Sequence, residues 1–294
     1  MKNSEFYLED LKSKFLKINP AEYYLSYSGG RDSHLLYWFL KTWLKENDSV
    51  MYEKYKIIPI VSVNTRMEHP EILRRIIDHS DKILLPELKP FEIKEKYGSP
   101  CFSKMQDDMI NRYQKGSRAK SILQFINGTK NGGTTYFKLN NTAKDLLLNN
   151  KLHRVSDQCC NQLKKNPLKK YEKTSGLLPI IGVRATESLL RKSQYKSCFT
   201  KKRKFTPLFD LEDNTFNEIY KAYNIYSPKV YNFLKQTGCI GCPYGSYGKD
   251  VELELNTLPP NKRKYIIKYF KESYDVLNID YKNIQLSLFD ETDE

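Results

Sequence analysis

Ser28-Gly29-Gly30-Arg31-Asp32-Ser33 puts two glycines, two hydroxyls and a carboxylate within one short stretch. Paired glycines let a backbone turn sharply and come close to an anion, and the N–H groups of a following helix point at that anion. Phosphate is the ligand such a loop expects. Ser28 and Ser33 can donate to its oxygens, and Asp32 is placed to help hold a Mg²⁺ that bridges them; the plainer reading of Asp32 is an acid in the first turn of a helix. Cys159-Cys160 and Cys239-Ile240-Gly241-Cys242-Pro243 form a second chemical set. Four thiolates hold zinc or a [4Fe–4S] cluster. Helical neighbours project about 100° apart, which suits separate corners of a cube better than one tetrahedral ion, so the cluster is favoured and zinc is the alternative. Four ordinary buried thiols are the plain reading, and Gly238, Gly241 and Pro243, which mould a turn suited to presenting sulfur, weigh against it. Arg184 and Arg191 offer planar donor forks for phosphate or sulfate, with Glu187 as a competing ion-pair partner.

These residues need elements to hold them. Residues 22–27 read as a strand and 34–46 as a helix, so the glycine pair sits in a strand, loop, helix unit. Residues 57–63 form a second β-branched strand running into Asn64, 69–79 a helix, 82–85 a third short strand, and 177–183 a strand whose end carries Arg184. Strands alternating with helices predict an α/β fold, a doubly wound, mostly parallel sheet. An opening helix over 5–18 carries Phe6, Leu8, Leu11, Phe15, Leu16 and Ile18 at helical spacing and stops at Pro20. Residues 98–150 read as a basic helical insertion facing substrate, with a polar, mobile loop at 127–135. Helices over 215–222, 229–235 and 262–274, the last capped by Asn261, complete a helical C-terminal part. The organisation expected is a single domain over 1–280, with the cysteine and substrate part at 155–250 and a flexible tail at 281–294.

Composition narrows the setting. The 294 residues are enough for a sizeable core. The formal net charge of +14 attracts a polyanion, nucleic acid being the natural candidate; the bland alternative is that abundant Lys, Asn, Ile and Tyr reflect an AT-rich genome. The most apolar window, 35–44, is too short to cross a bilayer, so the chain is expected to be soluble and cytoplasmic, with no membrane partner. There the six cysteines favour metal or thiol chemistry over disulfides.

The hexapeptide at 28–33 resembles the PP-loop of ATP pyrophosphatases, which cleave ATP between the α and β phosphates to adenylate a substrate. Val63-Asn64-Thr65 followed by Glu68 and Pro70 is similar to the second-strand element of phosphoadenosine-phosphosulfate (PAPS) reductase-like proteins. Gly182-Val183-Arg184-x-x-Glu187-Ser188-x-x-Arg191 is similar to their later Gly-x-Arg-x-x-Glu-Ser segment. The resemblance implies an adenine-nucleotide α-hydrolase-like fold that takes ATP and Mg²⁺. It implies that Ser28, Gly29, Gly30, Arg31, Asp32, Ser33, Asn64, Arg184 and Arg191 hold the nucleotide, with Asp32 and Arg184 catalytic.

Cys159-Cys160 through Leu168, together with Cys239-x-x-Cys242, resembles the cluster-binding cysteines of assimilatory adenosine-phosphosulfate reductases. Those reductases use a further cysteine in a C-terminal Glu-Cys-Gly-x-His segment, and no cysteine follows Cys242 here. They also usually carry an altered phosphate loop, whereas this one is the intact ATP-cleaving form. The combination looks more like the cluster-containing sulfurtransferases, including the enzyme of DNA phosphorothioation and certain tRNA thiolases. In that chemistry ATP activates an oxygen as an adenylate and sulfur displaces AMP, which implies a sulfur donor protein. Cys101 and Cys198 are then sulfur carriers or small buried hydrophobes; Cys198, among Lys196, Lys201, Lys202 and Arg203, is the better carrier because cations lower a thiol pKa. Gln285-Leu286-Ser287-Leu288-Phe289 resembles the pentapeptide that docks bacterial proteins on the DNA sliding clamp, which favours DNA over tRNA; its alternative is a strand closing onto the body. Two other functions compete: a phosphosulfate reductase using an external thiol, and a non-catalytic nucleotide-binding adaptor recruited to the clamp.

Overall fold

The computed structural model describes residues 2–187, 189–235, 237–245 and 251–282. Its chain forms two compact units: the first from Met1–Asn64, Pro70–Leu85 and Pro167–Thr237, the second from Thr65–His69, Pro86–Asn166 and Gly238–Glu294, in each case through their described residues. Six strands form among these residues: β1 (Tyr23–Ser26), β2 (Ile60–Val63), β3 (Lys82–Leu84), β4 (Thr129–Lys130), β5 (Gly133–Thr134) and β6 (Leu178–Ile181). The molecule is α/β, as its alternating pattern predicts.

The first unit holds a four-stranded parallel sheet in the order β3-β2-β1-β6. Parallel strands are covered on both faces and therefore read as unbroken apolar runs. Tyr23, Tyr24 and Leu25 in β1 and Ile60 and Val61 in β2 are all buried. Ser26 lies opposite both Val61 and Ile181, so β1 and β6 end level and release their loops together, while β2 runs on two residues further to Val63. Winding runs outward from β1 to β3 and then resumes at β6 on the other side of β1. A reversal of this kind opens a crevice beyond the carboxyl ends of β1 and β6, the strands that flank it.

Around the sheet the sequence is followed with local differences. The opening helix is Lys2–Phe15, with Leu8, Leu11 and Phe15 buried, whereas Phe6 and Leu16 face outward at 76% and 60% exposure. The helix after the glycine pair starts at Arg31 and not near 34, and its third and fourth turns widen into a π turn, Phe39–Trp43, before it ends at Asn47. The expected helix over 229–235 is a single 3₁₀ turn, Lys229–Asn232.

In the second unit the helices Lys104–Gln114, Lys120–Asn127 and Asn141–Leu148 pack Ile110, Ile122, Phe125, Ala143 and Leu147 into one core. Ser103 and Asn140 cap two of them, accepting from Gln106 N at 3.3 Å and Ala143 N at 2.7 Å. The stretch expected as a mobile loop is an antiparallel hairpin, β4 with β5, turned by Asn131 and Gly132 at φ 51° and 81°. Asn-Gly is the dipeptide that a two-residue hairpin turn with both central φ positive requires. The long C-terminal helix, Pro260–Leu277, is preceded by Pro259 without a side-chain cap, so Asn261 lies inside it. Among the described residues no helix is long and apolar enough to cross a membrane.

His34, in the first unit, gives the fold a pH dependence. It is buried, its Nδ1 bonded to Tyr27 OH at 2.9 Å and its ring stacked on Tyr37. Burial, with Arg75 and His79 adding to it, lowers its pKa from 6.5 to about 2. As pH falls the unfolded chain is protonated first, so His34's contribution is complete above pH 6.5 and drains away below it. Urea unfolding should find the protein about 2 kcal/mol less stable at pH 5 than at pH 7 on this account. His34→Gln should abolish that increment; an unchanged pH difference in the variant would rule His34 out as its source.

Candidate functional site

Buried β1 delivers the chain into the 28–33 loop, whose shape two glycines allow. Gly29 sits at φ +73°, and a Cβ there would press at 3.0 Å on Ile72 and Ile76 of the helix Pro70–His79. Gly30 occupies the N-cap of the helix Arg31–Trp38, with no side chain to cap the helix's first N–H groups. The hydroxyls then brace the loop from inside. Ser33 Oγ accepts from Ser28 N at 3.2 Å, donates to Gly30 O at 3.0 Å and lies 3.1 Å from Ser28 Oγ. Buried Arg75 donates to Gly29 O at 3.4 Å and to Tyr226 O at 2.6 Å, a support that sequence reading does not single out.

The neighbouring strand brings the other half. A Cβ on Gly182, just past β6, would stand 2.8 Å from the carbonyl carbon of Asp32 and the nitrogen of Ser33. Absence of a side chain therefore lets the two backbones touch, and Arg184, two residues on, reaches the loop. Its Nε pairs with Asp32 and its Nη1 with Asp213, leaving the side chain 11% exposed. Glu187 Oε1 accepts Arg184 N at 3.0 Å, and its other oxygen pairs with Arg191 one helical turn on. Arg191 is thus in the Glu187 ion pair, and Arg184 is not. Burial raises the Glu187 pKa, opposed by the Arg184 N–H and the two arginines, while the Arg184 bond lowers that of Asp213.

The result is a crevice of about 760 Å³ in the first unit, lined by the loop, Arg184, Glu187, Arg191, Asp213 and Tyr231. Its size falls in the range of small-molecule sites. Asn64, at the end of β2, is not among the lining residues; its N–H extends the sheet by donating to Leu84 O at 3.0 Å. Arg31 is held against aromatic rings, 4.7 Å from the centroids of both Phe216 and Tyr220, with Nη2 donating to Asn217 at 2.9 Å. Its N–H donates to Tyr231 OH at 3.3 Å, and that hydroxyl lies 2.7 Å from Thr237 Oγ1. Asp213, Phe216, Asn217, Tyr231 and Thr237 come from far along the chain and carry no motif. Ser188 lies outside the described residues, as does the pentapeptide at 285–289.

The cysteines gather in the second unit. Cys159 and Cys160 occupy a helical turn, Gln158–Cys160, that widens into a π turn, Asn161–Lys165; such turns recur at functional positions. The Cys239–Cys242 stretch is a tight turn in which Cys242 N donates to Cys239 O at 3.2 Å and Gly241 takes φ +67°. A Cβ on Gly241 would stand 2.6 Å from Ile266 Cγ2 and Tyr274 OH, and the Tyr274 hydroxyl donates to Gly241 O at 2.5 Å. Cys160, Cys239 and Cys242 all lie within electrostatic reach of Cys159, and Cys160 within reach of Cys239. Cys159 is pushed up, first by its bond with Cys160, then by burial and by Cys242 and Cys239. Cys160 is pulled down by the same bond, with Lys104, Lys164 and Lys165 helping against burial. Lys164 is raised most by Cys239, with Glu68 and Cys160 adding to it. Glu68 is buried, accepting Thr65 Oγ1 at 2.5 Å, so this part of the second-strand element belongs with the cysteines. Among the described residues no three His, Cys, Asp or Glu side chains are grouped so as to hold a single metal ion.

Cys101 and Cys198 stand apart. Cys101 is fully buried in the second unit's core, and burial drives its thiol pKa well up. Cys198, in the first unit, is half-buried and is also raised, by burial first. The cations that act on it are Lys14 and Lys17, opposed by Asp210 and Asp10, so the activation expected from Lys196, Lys201, Lys202 and Arg203 does not arise.

No family model matches the chain, and no curated protein matches it significantly.

The contact at Gly182 is open to direct test. Gly182→Ala must push one backbone off the other, because the atoms a Cβ would meet are main-chain atoms of Asp32 and Ser33. Urea denaturation should show a loss of about 1–3 kcal/mol, the usual cost of overpacking. A variant as stable as the native protein would show that the close approach is not needed.

Proposed function

We propose that this chain is a PP-loop ATP pyrophosphatase of the PAPS reductase-like type that activates a nucleic acid for sulfur transfer. One observation carries the reading: the braced 28–33 loop opens on a crevice into which Gly182 admits the β6 loop, bringing Arg184 against Asp32. The strand order and its reversal at β1 support a doubly wound fold of the adenine-nucleotide α-hydrolase kind.

In this reading the N–H groups of the 28–33 loop and the Ser28 and Ser33 hydroxyls exchange their internal bonds for the polyphosphate oxygens of ATP. Asp32 holds Mg²⁺ when it is bound. Arg184 turns from Asp32 toward the phosphates, where its fork neutralises charge gathering on the leaving pyrophosphate. An oxygen of the acceptor attacks the α-phosphorus, the bond from that phosphorus to the α,β-bridging oxygen breaks, and pyrophosphate leaves. A sulfur nucleophile from a donor protein then attacks the acceptor atom bearing the adenylate, and AMP departs with the original oxygen. Arg31, clamped by Asn217, Phe216 and Tyr220, positions the loop instead of gripping the ligand.

Cys159, Cys160, Cys239 and Cys242 are the residues that would hold a [4Fe–4S] cluster. Their donor chemistry fits: four thiols presented by a widened helical turn and a glycine-shaped Cys-x-x-Cys turn, with Lys104, Lys164 and Lys165 to offset anionic charge. When bound, such a cluster supplies a place for sulfur to attach and for electrons to be exchanged. A cytoplasmic setting, DNA as the acceptor and recruitment through Gln285-Leu286-Ser287-Leu288-Phe289 are parts of the same proposal.

Anaerobically purified protein given α-labelled ATP, Mg²⁺ and single-stranded DNA or tRNA should release AMP and pyrophosphate. Asp32→Ala and Ser33→Ala should each slow this by about a hundredfold or more, the scale seen when one donor to developing charge is removed. Absence of both products with every acceptor would refute the assignment. In the same preparation, iron and acid-labile sulfide should be found at four each per chain for one [4Fe–4S] group, and Cys239→Ser should lose them. Zinc in their place would remove the sulfur-transfer part and leave ATP cleavage standing.

A further inference from the structure

We infer that a second cleft, in the second unit, binds single-stranded nucleic acid, gripping phosphates with Lys115 and Arg154 and stacking one base on the guanidinium of Arg118. The cleft encloses about 330 Å³ where the helix Lys104–Gln114 ends and the 150–154 segment passes beside it. Three of its lining residues are cations and none is an acid. Arg118 and Arg154 donate to backbone carbonyls, Arg118 to Tyr113 O and Ser117 O at 3.0 Å and Arg154 to Glu95 O at 3.4 Å. Among the described residues Lys115, Arg118 and Arg154 form no ion pair. Three exposed cations facing a common hollow without a carboxylate repel one another, and an anion relieves that repulsion.

The shape of the cleft points to a nucleotide strand and not to a lone phosphate. Arg118 lies 3.9 Å over the Tyr113 ring centroid, and its two carbonyl bonds fix that stack. The guanidinium sits close over the ring while Arg118 remains exposed, and an exposed guanidinium plane is a surface on which an unstacked base settles. Buried Leu147 and Leu152 supply an apolar floor. The walls are rigid, because Asn111 Nδ2 donates to Val155 O at 2.7 Å and Gln114 Nε2 to His153 O at 2.8 Å. Gly116, at φ +91°, has no atom within 4 Å of where a Cβ would sit, so a sugar-phosphate backbone can pass close to it. The surrounding stretch 98–150 carries eight Lys and Arg against three Asp and Glu, extending the attraction along a strand. A duplex cannot offer a base to Arg118 without unstacking it, so a single strand is the fitting partner. The inference rests on the nucleic-acid half of the proposed function and not on ATP cleavage.

Fluorescence anisotropy of the full chain with a labelled mixed-sequence oligonucleotide, as single-stranded DNA, single-stranded RNA and duplex, tests it across a salt series. Either single strand should bind more tightly than the duplex. Arg118→Ala should weaken single-strand binding about tenfold, the worth of one stacked base. Arg118→Lys should be nearly as weak while keeping the salt slope, a signature that loss of charge or of fold would not give. Lys115→Gln with Arg154→Gln should reduce that slope by about 1.4, two phosphate contacts at roughly 0.7 each. Native binding in all the cleft variants, or equal affinity for duplex and single strand, overturns the inference. ATP cleavage measured on the same preparation separates the two failures: cleavage without strand binding sinks this cleft alone, and strand binding without cleavage sinks the phosphate loop alone.

Discussion

Two backbones touch where β1 and β6 release their loops, and the candidate nucleotide site follows from that touch. The strands are neighbours in register, with Ser26 opposite Ile181, so the 28–33 loop and the 182–187 loop leave the sheet at the same height. Any side chain at 182 would wedge them apart at the carbonyl of Asp32. With glycine there, Arg184 arrives beside Asp32 and meets Asp213 on the far side. Neither pair contributes much net stability: desolvation offsets the attraction of the part-buried Asp32 pair, and solvent screens the pair with Asp213, which is 66% exposed. Their effect here is directional: two acids fix where the guanidinium fork points.

The cysteine centre of the second unit is shaped by the same device at a different place. Gly241 lies under Ile266 and Tyr274, in a conformation that side-chain-bearing residues avoid, and this lets the Cys239–Cys242 turn close tightly against the long helix Pro260–Leu277. Buried sulfur resists ionisation, and the cations around Cys160 counter that resistance. Lys164 faces Cys239, Cys160 and Glu68 together, so its charge is shared between thiols and a carboxylate.

What the sequence made legible is what backbone conformation demands. Paired glycines after an apolar run fix a loop that leads into a helix, though its start at Arg31 lies three residues ahead of the expected 34, and the apolar runs at 60–63 and 178–181 read as strands. The Asn131-Gly132 turn was equally legible, since those residue types prescribe a hairpin, yet the polar stretch around it reads as loop when composition is weighed before turn chemistry. Partners distant in sequence were not legible. Asp213 and Tyr231 reach the crevice from a helix and a 3₁₀ turn that carry no spacing signal, and Arg75 looks like any surface cation until it is found beneath Gly29. Cys198 shows the converse error: cations adjacent in sequence are not those adjacent in space.

Arg31 and Arg184 illustrate how position decides the use of a charge. Both are arginines beside the same loop, and both lie over Phe216, at 4.7 and 4.2 Å from its centroid. Arg31 is bound by neutral partners: an amide, aromatic faces, and a Tyr220 hydroxyl on its own carbonyl. None of these partners competes with an anion for the fork, and of its buried side-chain nitrogens only Nε is without a hydrogen-bond partner among the described residues. Arg184 is bound by two carboxylates, and a polyphosphate competes with carboxylates for the same fork. A cation that takes up Asp32 would weaken one of the two bonds just as the anion arrives. Under the proposed reading, metal and nucleotide therefore favour each other's entry through a single exchange of partners at Arg184, with no movement of the sheet.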